Sequence, residues 1–335
     1  MLATAALAGP MLPRPARAQP APRVMRVAFE DVISNRSDVP AELGVPGFDV
    51  AGWFAAEGFV EGRNLALEYM GLQKLVRQGS NWGQKLREVV ASRPDVILVI
   101  GAGGPYLQTL KRLTSEVPIV FYILTTDPVR MGLVESLRRP GGNLTGTAWP
   151  PFEAITIKSW ELLKELRPAA RRIGALLGRD DVGGVWMAEL RAAQIAAAAR
   201  LGLERVEIVV RTTEGFAPVE RAIRSAQIDL LDPENGTDWP WRADLLGFLA
   251  RSGIPAVWDE VWVKDGGLLS LNASFEELSR EAVRIVAKIL RGEKPATIPV
   301  YVATRFKITV NLRTARAMKL TIPPSILLRA DVVVE

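Results

Sequence analysis

Short runs of branched apolar residues, separated by segments of helical periodicity, govern how this chain can fold. VMRVAF (24–29), LALEY (65–69), DVILVI (95–100), PIVFYI (118–123) and NLTGT (143–147) are strand-length and bounded by turn residues. Between them, GFDVAGWFAAEGF, NWGQKLREVVASR, GPYLQTLKRLTSE and VRMGLVESLRR have the length and spacing of helices. A strand that is apolar on both faces is tolerated where helices cover both sides of a parallel sheet. The first half therefore reads as such a sheet.

The rhythm then restarts. RRIGALL (171–177), RVEIVV (205–210), IDLL (228–231), IPAVW (254–258) and GLLSL (267–271) again alternate with helical segments. After Arg179, the residues Trp186, Leu190, Ala193, Ala197 and Leu201 recur three or four apart and make one apolar face. PPFEAITIKSWELLKEL, with Ile155, Leu162, Leu163 and Leu166 on a stripe, opens this second half. Two lobes suit 335 residues, because a single core stops growing before that length. Two elements are left over: a helix from about Phe275 to Leu290, and VYVATRFKITV (300–310), whose alternation predicts one half-buried strand. Their position after two complete halves predicts that the chain crosses back between lobes.

Composition removes several classes of function. The chain has no Cys and no His, which excludes disulfides, thiol chemistry, Cys/His zinc sites and Ser-His-Asp catalysis. The net charge of +5 is spread among Asp and Glu rather than gathered into a stripe, so nucleic acid is not an expected partner. Acidic pairs show no EF-hand-like spacing; no metal and no cofactor are expected. The N-terminus MLATAALAGPMLPRPARAQPAPR has an apolar stretch, Pro breaks and Ala16-Arg17-Ala18, a small-x-small pattern at which an export signal is cut. The alternative is an Ala/Pro tail. Residues 1–22 are assigned to this signal and tail, with cleavage near Ala18.

Ligands of open parallel sheets bind outside the carboxyl ends of the strands, so the loops that follow them are the candidate site. They contain Glu30-Asp31, Gly101-Ala102-Gly103-Gly104-Pro105, Thr125-Thr126-Asp127, Arg179-Asp180-Asp181, Asp232 to Asn235 with Gly236, Trp258-Asp259-Glu260 and Asn272 to Ser274. GAGGP lies between a strand and a helix, where backbone N–H groups meet an anion. It is neither G-x-G-x-x-G nor a P-loop, and a carboxylate fits it better than a dinucleotide; glycines that only permit a tight turn are the alternative. Asp127, before Pro128, reads either as a ligand contact or as a turn and helix cap, and Asp180 and Asp181 carry the same ambiguity. Of nine tryptophans, Trp149, Trp186, Trp239, Trp241, Trp258 and Trp262 fall in or beside the expected inter-lobe loops. Packing within its own lobe is the alternative for each Trp taken singly, and especially for Trp53, Trp82 and Trp160. Aromatic rings in such loops suit flat, partly apolar ligands.

TDPVRMGLVESLRRPGGNLTG (126–146) resembles the most recognisable segment of a family of bacterial ABC-transporter substrate-binding proteins, which includes binders of tryptophan and other aromatic amino acids. GFVEGRNLALEY, RPDVILVIGAGG, VPIVF, ILRGEKPATIPV and RFKITVNLRTARAMKLTIPPSILLRADVVVE resemble it too, in order along the chain. The resemblance implies an α/β fold of the type I periplasmic-binding-protein kind: two Rossmann-like lobes with parallel sheets, joined by three crossovers. It assigns residues 23–148 plus about 272–298 to the N-terminal lobe and 149–271 plus about 299–335 to the C-terminal lobe. It also implies the sites: Glu30-Asp31, Gly101 to Pro105 and Thr125 to Asp127 from the first lobe, matched by Asp180, Asp232 and Trp258 from the second. EDVISNRSDVPAELGVPG is longer than the family pattern, and WPPFEA and DPENGTDWPW are richer in Trp.

The expected function is that of a periplasmic receptor that traps a small ligand, an amino acid or aromatic carboxylate, and delivers it to an inner-membrane permease. Gly103 and Gly104, with Thr125 or Thr126, would take the carboxylate. Asp181 or Asp232 would pair an amine, which a buried charge requires, and Trp residues would cover the apolar part. The protein is expected to be a monomer, without a lipobox Cys and without catalysis. A receptor that feeds a membrane sensor, and a sugar- or nucleotide-processing enzyme on a Rossmann-like frame, are the alternatives.

Overall fold

A computed structural model describes residues 23–31, 49–72, 81–100, 104–124, 127–178, 185–211, 215–233 and 240–335. Two sheets organise them. The first contains β1 (Met25–Asp31), β2 (Leu65–Tyr69), β3 (Val96–Ile100), β4 (Ile119–Leu124), β5 (Leu144–Ala148) and, from far along the chain, β11 (Tyr301–Val302). Its order is β11-β5-β4-β3-β1-β2, parallel throughout. All five residues of β3 are buried, as an unbroken apolar run requires of a central strand. Helices α1 (Val50–Ala56), α2 (Trp82–Ala91) and α3 (Gly104–Leu113) alternate with these strands.

The second half starts with α4 (Phe152–Leu166) and continues through β6 (Arg172–Gly178), α5 (Val185–Leu201), β7 (Glu204–Val210), α6 (Phe216–Ala226) and β8 (Leu230–Asp232). The strands pair in parallel in the order β7-β6-β8. After α7 (Arg242–Ser252) come β9 (Val257–Trp258), α8 (Glu260–Lys264) and β10 (Leu269–Ala273). β12 (Phe306–Asn311) and β13 (Val332–Val334) complete a row β13-β12-β10-β9, with α10 (Leu312–Ala317) and α11 (Pro324–Arg329) between those two. β12 runs antiparallel to β10, the remaining neighbours being parallel. A single bridge from Leu231 to Ala256 joins the two rows edge to edge.

The leftover helix α9 (Phe275–Leu290) returns to the first sheet. Its Leu278, Ala282, Val283 and Val286 pack with Val27, Val96, Leu98 and Val120, and Ser279 Oγ donates to the buried Tyr122 hydroxyl at 2.8 Å. Ser274 caps the helix by accepting from the Glu277 N–H, and Glu276 and Glu277 sit in the first turn, where the helix dipole favours negative charge. The chain thus passes between sheets three times: from β5 to α4 through 149–151, from β10 to α9 at Ser274, and from β11 to β12 through 303–305.

Two expected elements differ. VYVATRFKITV is not one strand: Tyr301–Val302 pairs with β5 in the first sheet and Phe306–Asn311 with β10 in the second. Alternation persists through the break because both pieces are half-buried, and a period of two carries no information about which partner each faces. VRMGLVESLRR is a series of turns rather than a helix. The Leu133 N–H returns to the Pro128 carbonyl at 2.9 Å, Gly132 adopts φ +64°, and Glu135 N–H bonds the Pro140 carbonyl. Leu133 and Val134 are both buried, so the turn anchors itself in the core without a run of helical hydrogen bonds.

Tyr301 braces two of the crossovers. Its hydroxyl donates to the Glu277 carboxylate, and that bond first, then burial and the charges of Glu277 and Glu281, push the phenol from its usual 10.0 up to about 12. A folded pKa above the unfolded one gives stability that is complete below pH 10 and lost as pH rises towards 12. Urea midpoints measured from pH 9 to 12 should therefore fall more steeply for the parent than for Tyr301→Phe. Equal slopes would show that this bond does not couple the crossovers.

Candidate functional site

Every strand of a parallel sheet ends at the same edge, and the crossovers from β5, β10 and β11 all leave from carboxyl ends. Arg130, in the turn that follows β4, donates from Nη1 to Glu189 Oε1 at 2.9 Å. Glu189 lies on α5, the helix that follows β6. This ion pair links the segment after a strand of the first sheet to the helix after a strand of the second, and loops at carboxyl ends are where open α/β sheets bind ligands.

On the first edge, the Glu30 side chain is 0% exposed, and its Oε2 accepts the Leu72 N–H at 2.9 Å. Through that bond it holds the segment after β2 against the end of β1. Tyr106, in the first turn of α3, packs edge-on against Trp82 with ring centroids 4.6 Å apart. Burial and then the Glu30 charge push its phenol above the usual range. Asp127 is exposed, and its Oδ1 accepts the Val129 N–H at 2.8 Å while its carbonyl accepts from Met131. Of its two sequence readings, this geometry is the turn cap. Trp149 begins the first crossover and packs, partly buried, on the core beneath α9.

On the second edge, Asp232 ends β8 and is half-buried. Its Oδ2 accepts the Trp160 indole N–H at 2.8 Å and the Gln194 amide at 3.4 Å. Gln194 in turn accepts from Arg205 Nε at 2.9 Å, and Arg205 pairs with Glu207. Asp259, after β9, accepts from Asn272 Nδ2 at 3.2 Å, which ties the ends of β9 and β10 together. Of the alternatives open to the loop tryptophans, Trp258, which is 6% exposed, takes packing within its own lobe, in a core with Trp241 and Trp262. An added Cβ at Gly267 would meet the Trp258 ring at 2.9 Å, so the indole is wedged against the chain, and the Arg242 guanidinium lies 3.2 Å over the Trp262 ring.

Gly101, Ala102, Gly103, Thr125, Thr126, Asp180, Asp181 and Asn235 lie outside the described residues. Asp31 and Trp186 are placed as strand and helix residues with their side chains outside the description, and Gly104 opens α3. The structure thus brings Glu30, Asp127 and Trp149 to one edge and Asp232 and Asp259 to the other. Trp160 packs in the core of its own lobe, as its sequence reading has it, whereas the contacts of Gln194, Tyr106, Arg130 and Glu189 were not anticipated from sequence. Trp160 and Asp232 are 72 positions apart, and no spacing rule links them. A groove of about 520 Å³ on α7 and α10, lined by Arg242, Leu246, Asp265, Arg313 and Thr314 among others, contains none of the expected site residues. Among the described residues no group of three or more acids is placed to hold a metal ion, and no helix is long and apolar enough to cross a membrane.

A parallel first sheet, a largely parallel second half and three crossovers have counterparts among known proteins. The family described as ABC transporter substrate binding protein matches residues 54–334. This chain belongs to that family. A tyrosine-binding protein of Clostridioides difficile (strain R20291) is 26% identical over 267 residues, covering 78% of this chain and 73% of that protein. Among solved structures, an ABC domain from Streptococcus pneumonia in complex with L-Trp is similar with a TM-score of 0.68 and 22% identity, over 93% of this chain and 100% of that one. A ligand-free, open substrate-binding protein with adhesive properties from Clostridium difficile has the same TM-score, 21% identity and coverage of 93% and 99%. At these identities the solved structures establish the two-lobed fold. As a member of the substrate-binding family, the protein binds a small-molecule ligand.

Proposed function

We propose that this protein is the solute receptor of an ABC importer, which captures an aromatic amino acid or a related aromatic carboxylate between its lobes and presents it to a permease. The observation that carries this reading is the Arg130–Glu189 contact, which links the segment after a strand of one sheet to the helix after a strand of the other. The tyrosine-binding relative and the L-Trp complex support the ligand class. Asp232 supplies a half-buried carboxylate for the ligand amine, and the glycine and threonine loops 101–104 and 125–126 supply donors for its carboxylate. The lobes move as two bodies about 149–151, Ser274 and 303–305. The chain works as an exported monomer, cleaved near Ala18, and without catalysis; no His or Cys is available for the commonest hydrolytic chemistry.

A thermal-shift screen tests this. A ligand bound only by the folded state adds about 2.7 kcal/mol at a hundred times its dissociation constant. L-Tyrosine, L-tryptophan or an aromatic carboxylate should raise the melting temperature, whereas sugars and nucleosides should not. A shift with a sugar or nucleoside alone would reject the ligand class, and turnover of any compound would reject a pure receptor.

A further inference from the structure

Arg130 and Glu189 are carried by opposite lobes, and each stands on a fixed base. The turn under Arg130 is tied by Asp127 Oδ1 to the Val129 N–H, by the Leu133 N–H to the Pro128 carbonyl, and by the burial of Leu133 and Val134. Glu189 precedes the buried Leu190 and Ala193 on α5, and Gln194 of the same helix is bonded to Asp232. Neighbouring charges are already engaged: Arg191 pairs with Glu207 at 3.0 Å, and the Asp127 carboxylate caps its own turn. Fixed bases of this kind lose the 2.9 Å contact as the lobes draw apart, so the pair belongs to the arrangement in which the two segments meet.

We propose that Arg130 and Glu189 are a positioning pair, a latch that favours lobe closure and so sets how long a captured ligand stays. The pair touches no ligand. It acts on the open–closed equilibrium, and a contact made in one state only shifts that equilibrium by its own free energy. The Arg130 side chain is 68% exposed and that of Glu189 only 18%, so the effect is that of a partly screened ion pair, roughly two- to five-fold in the equilibrium, and it weakens as salt shortens the screening length. The statement about ligand residence rests on the receptor function proposed above, whereas the statement about closure does not.

The absence of cysteine makes a direct test practical. Arg112→Cys and Leu328→Cys, both exposed and on opposite lobes, carry spin labels for pulsed electron paramagnetic resonance of the ligand-free protein. Adding Arg130→Ala or Glu189→Ala at low salt should move the distance distribution towards the separated state. The exchange R130E with E189R should restore it, and about 1 M salt should make the parent resemble the single variants. In stopped-flow release of L-tyrosine or L-tryptophan, each single variant should dissociate roughly two- to five-fold faster, with association unchanged and the double alanine variant no faster than either single. Distance distributions indifferent to the substitutions and to salt would overturn the latch, as would release rates in which the two substitutions simply multiply. Failure of both amino acids to bind, with the distances shifting as expected, would count against the ligand class alone.

Discussion

Gly146→Ala should lower the stability of the protein by about 3 kcal/mol or more. Gly146 lies in the middle of β5 at φ +157°, opposite Phe121 of β4. A Cβ there would stand 1.9 Å from the Phe121 carbonyl oxygen and 2.7 Å from its nitrogen. The obstacle is backbone, so no rotamer change relieves it. The strands cannot drift apart either: β4 is held by β3 on its other side, β5 by β11, and Phe121, Tyr122, Leu144 and Thr145 are all buried. The register already shifts between Tyr122 and Leu124, directly beyond this approach, which is where a glycine without a side chain lets one strand bend over the other. Gly142→Ala is the control, since nothing lies within 4 Å of its added methyl and an open surface site changes stability by about 0.5 kcal/mol or less. Urea unfolding of both variants reads the difference as a shift in midpoint at constant slope. Equal midpoints would mean that the β4–β5 approach relaxes freely.

The same region shows how far a sequence carries its fold. β3 was legible because a buried central strand has to be apolar at every position, and α9 because Leu278, Ala282, Val286 and Ile289 repeat at helical spacing. VRMGLVESLRR was misread because a few apolar residues three or four apart suit a turn that buries Leu133 and Val134 as well as they suit a helix; Pro128, Gly132 and Pro140 decided the outcome. The tryptophans were ambiguous for a related reason. Trp241, Trp258 and Trp262 are near loops in sequence, yet with Val219, Ile223, Leu245 and Phe248 of α6 and α7 they fill one core. The carboxyl-end loops were legible as positions, because the ends of parallel strands follow from the strand pattern. Their side-chain partners were not. Asp232 meets Trp160, and Arg130 meets Glu189, only after two lobes have been assembled.

Asp232 is where fold and function have to be separated, and three substitutions do so. Asp232→Ala removes the acceptor of the Trp160 indole N–H, whose ring is fully buried, and of the buried Gln194 amide. Two buried donors left unpaired cost about 1–3 kcal/mol each, so this variant should lose about 3 kcal/mol. Trp160→Phe deletes one donor and leaves the carboxylate; stability falls through the lost hydrogen bond and the space left by the smaller ring, but the charge offered to a ligand amine stays. Asp232→Asn keeps an oxygen for the indole and removes the charge. Its stability should stay within about 1 kcal/mol of the parent, whereas affinity for an aromatic amino acid should fall at least about tenfold, the weight of one charge-assisted hydrogen bond. Affinity for the corresponding carboxylic acid without an amine should change much less. Calorimetric titration of the two ligands against parent and Asp232→Asn decides the matter: an equal change for both would remove Asp232 from amine recognition and leave it as the residue that fixes Trp160 in the second lobe.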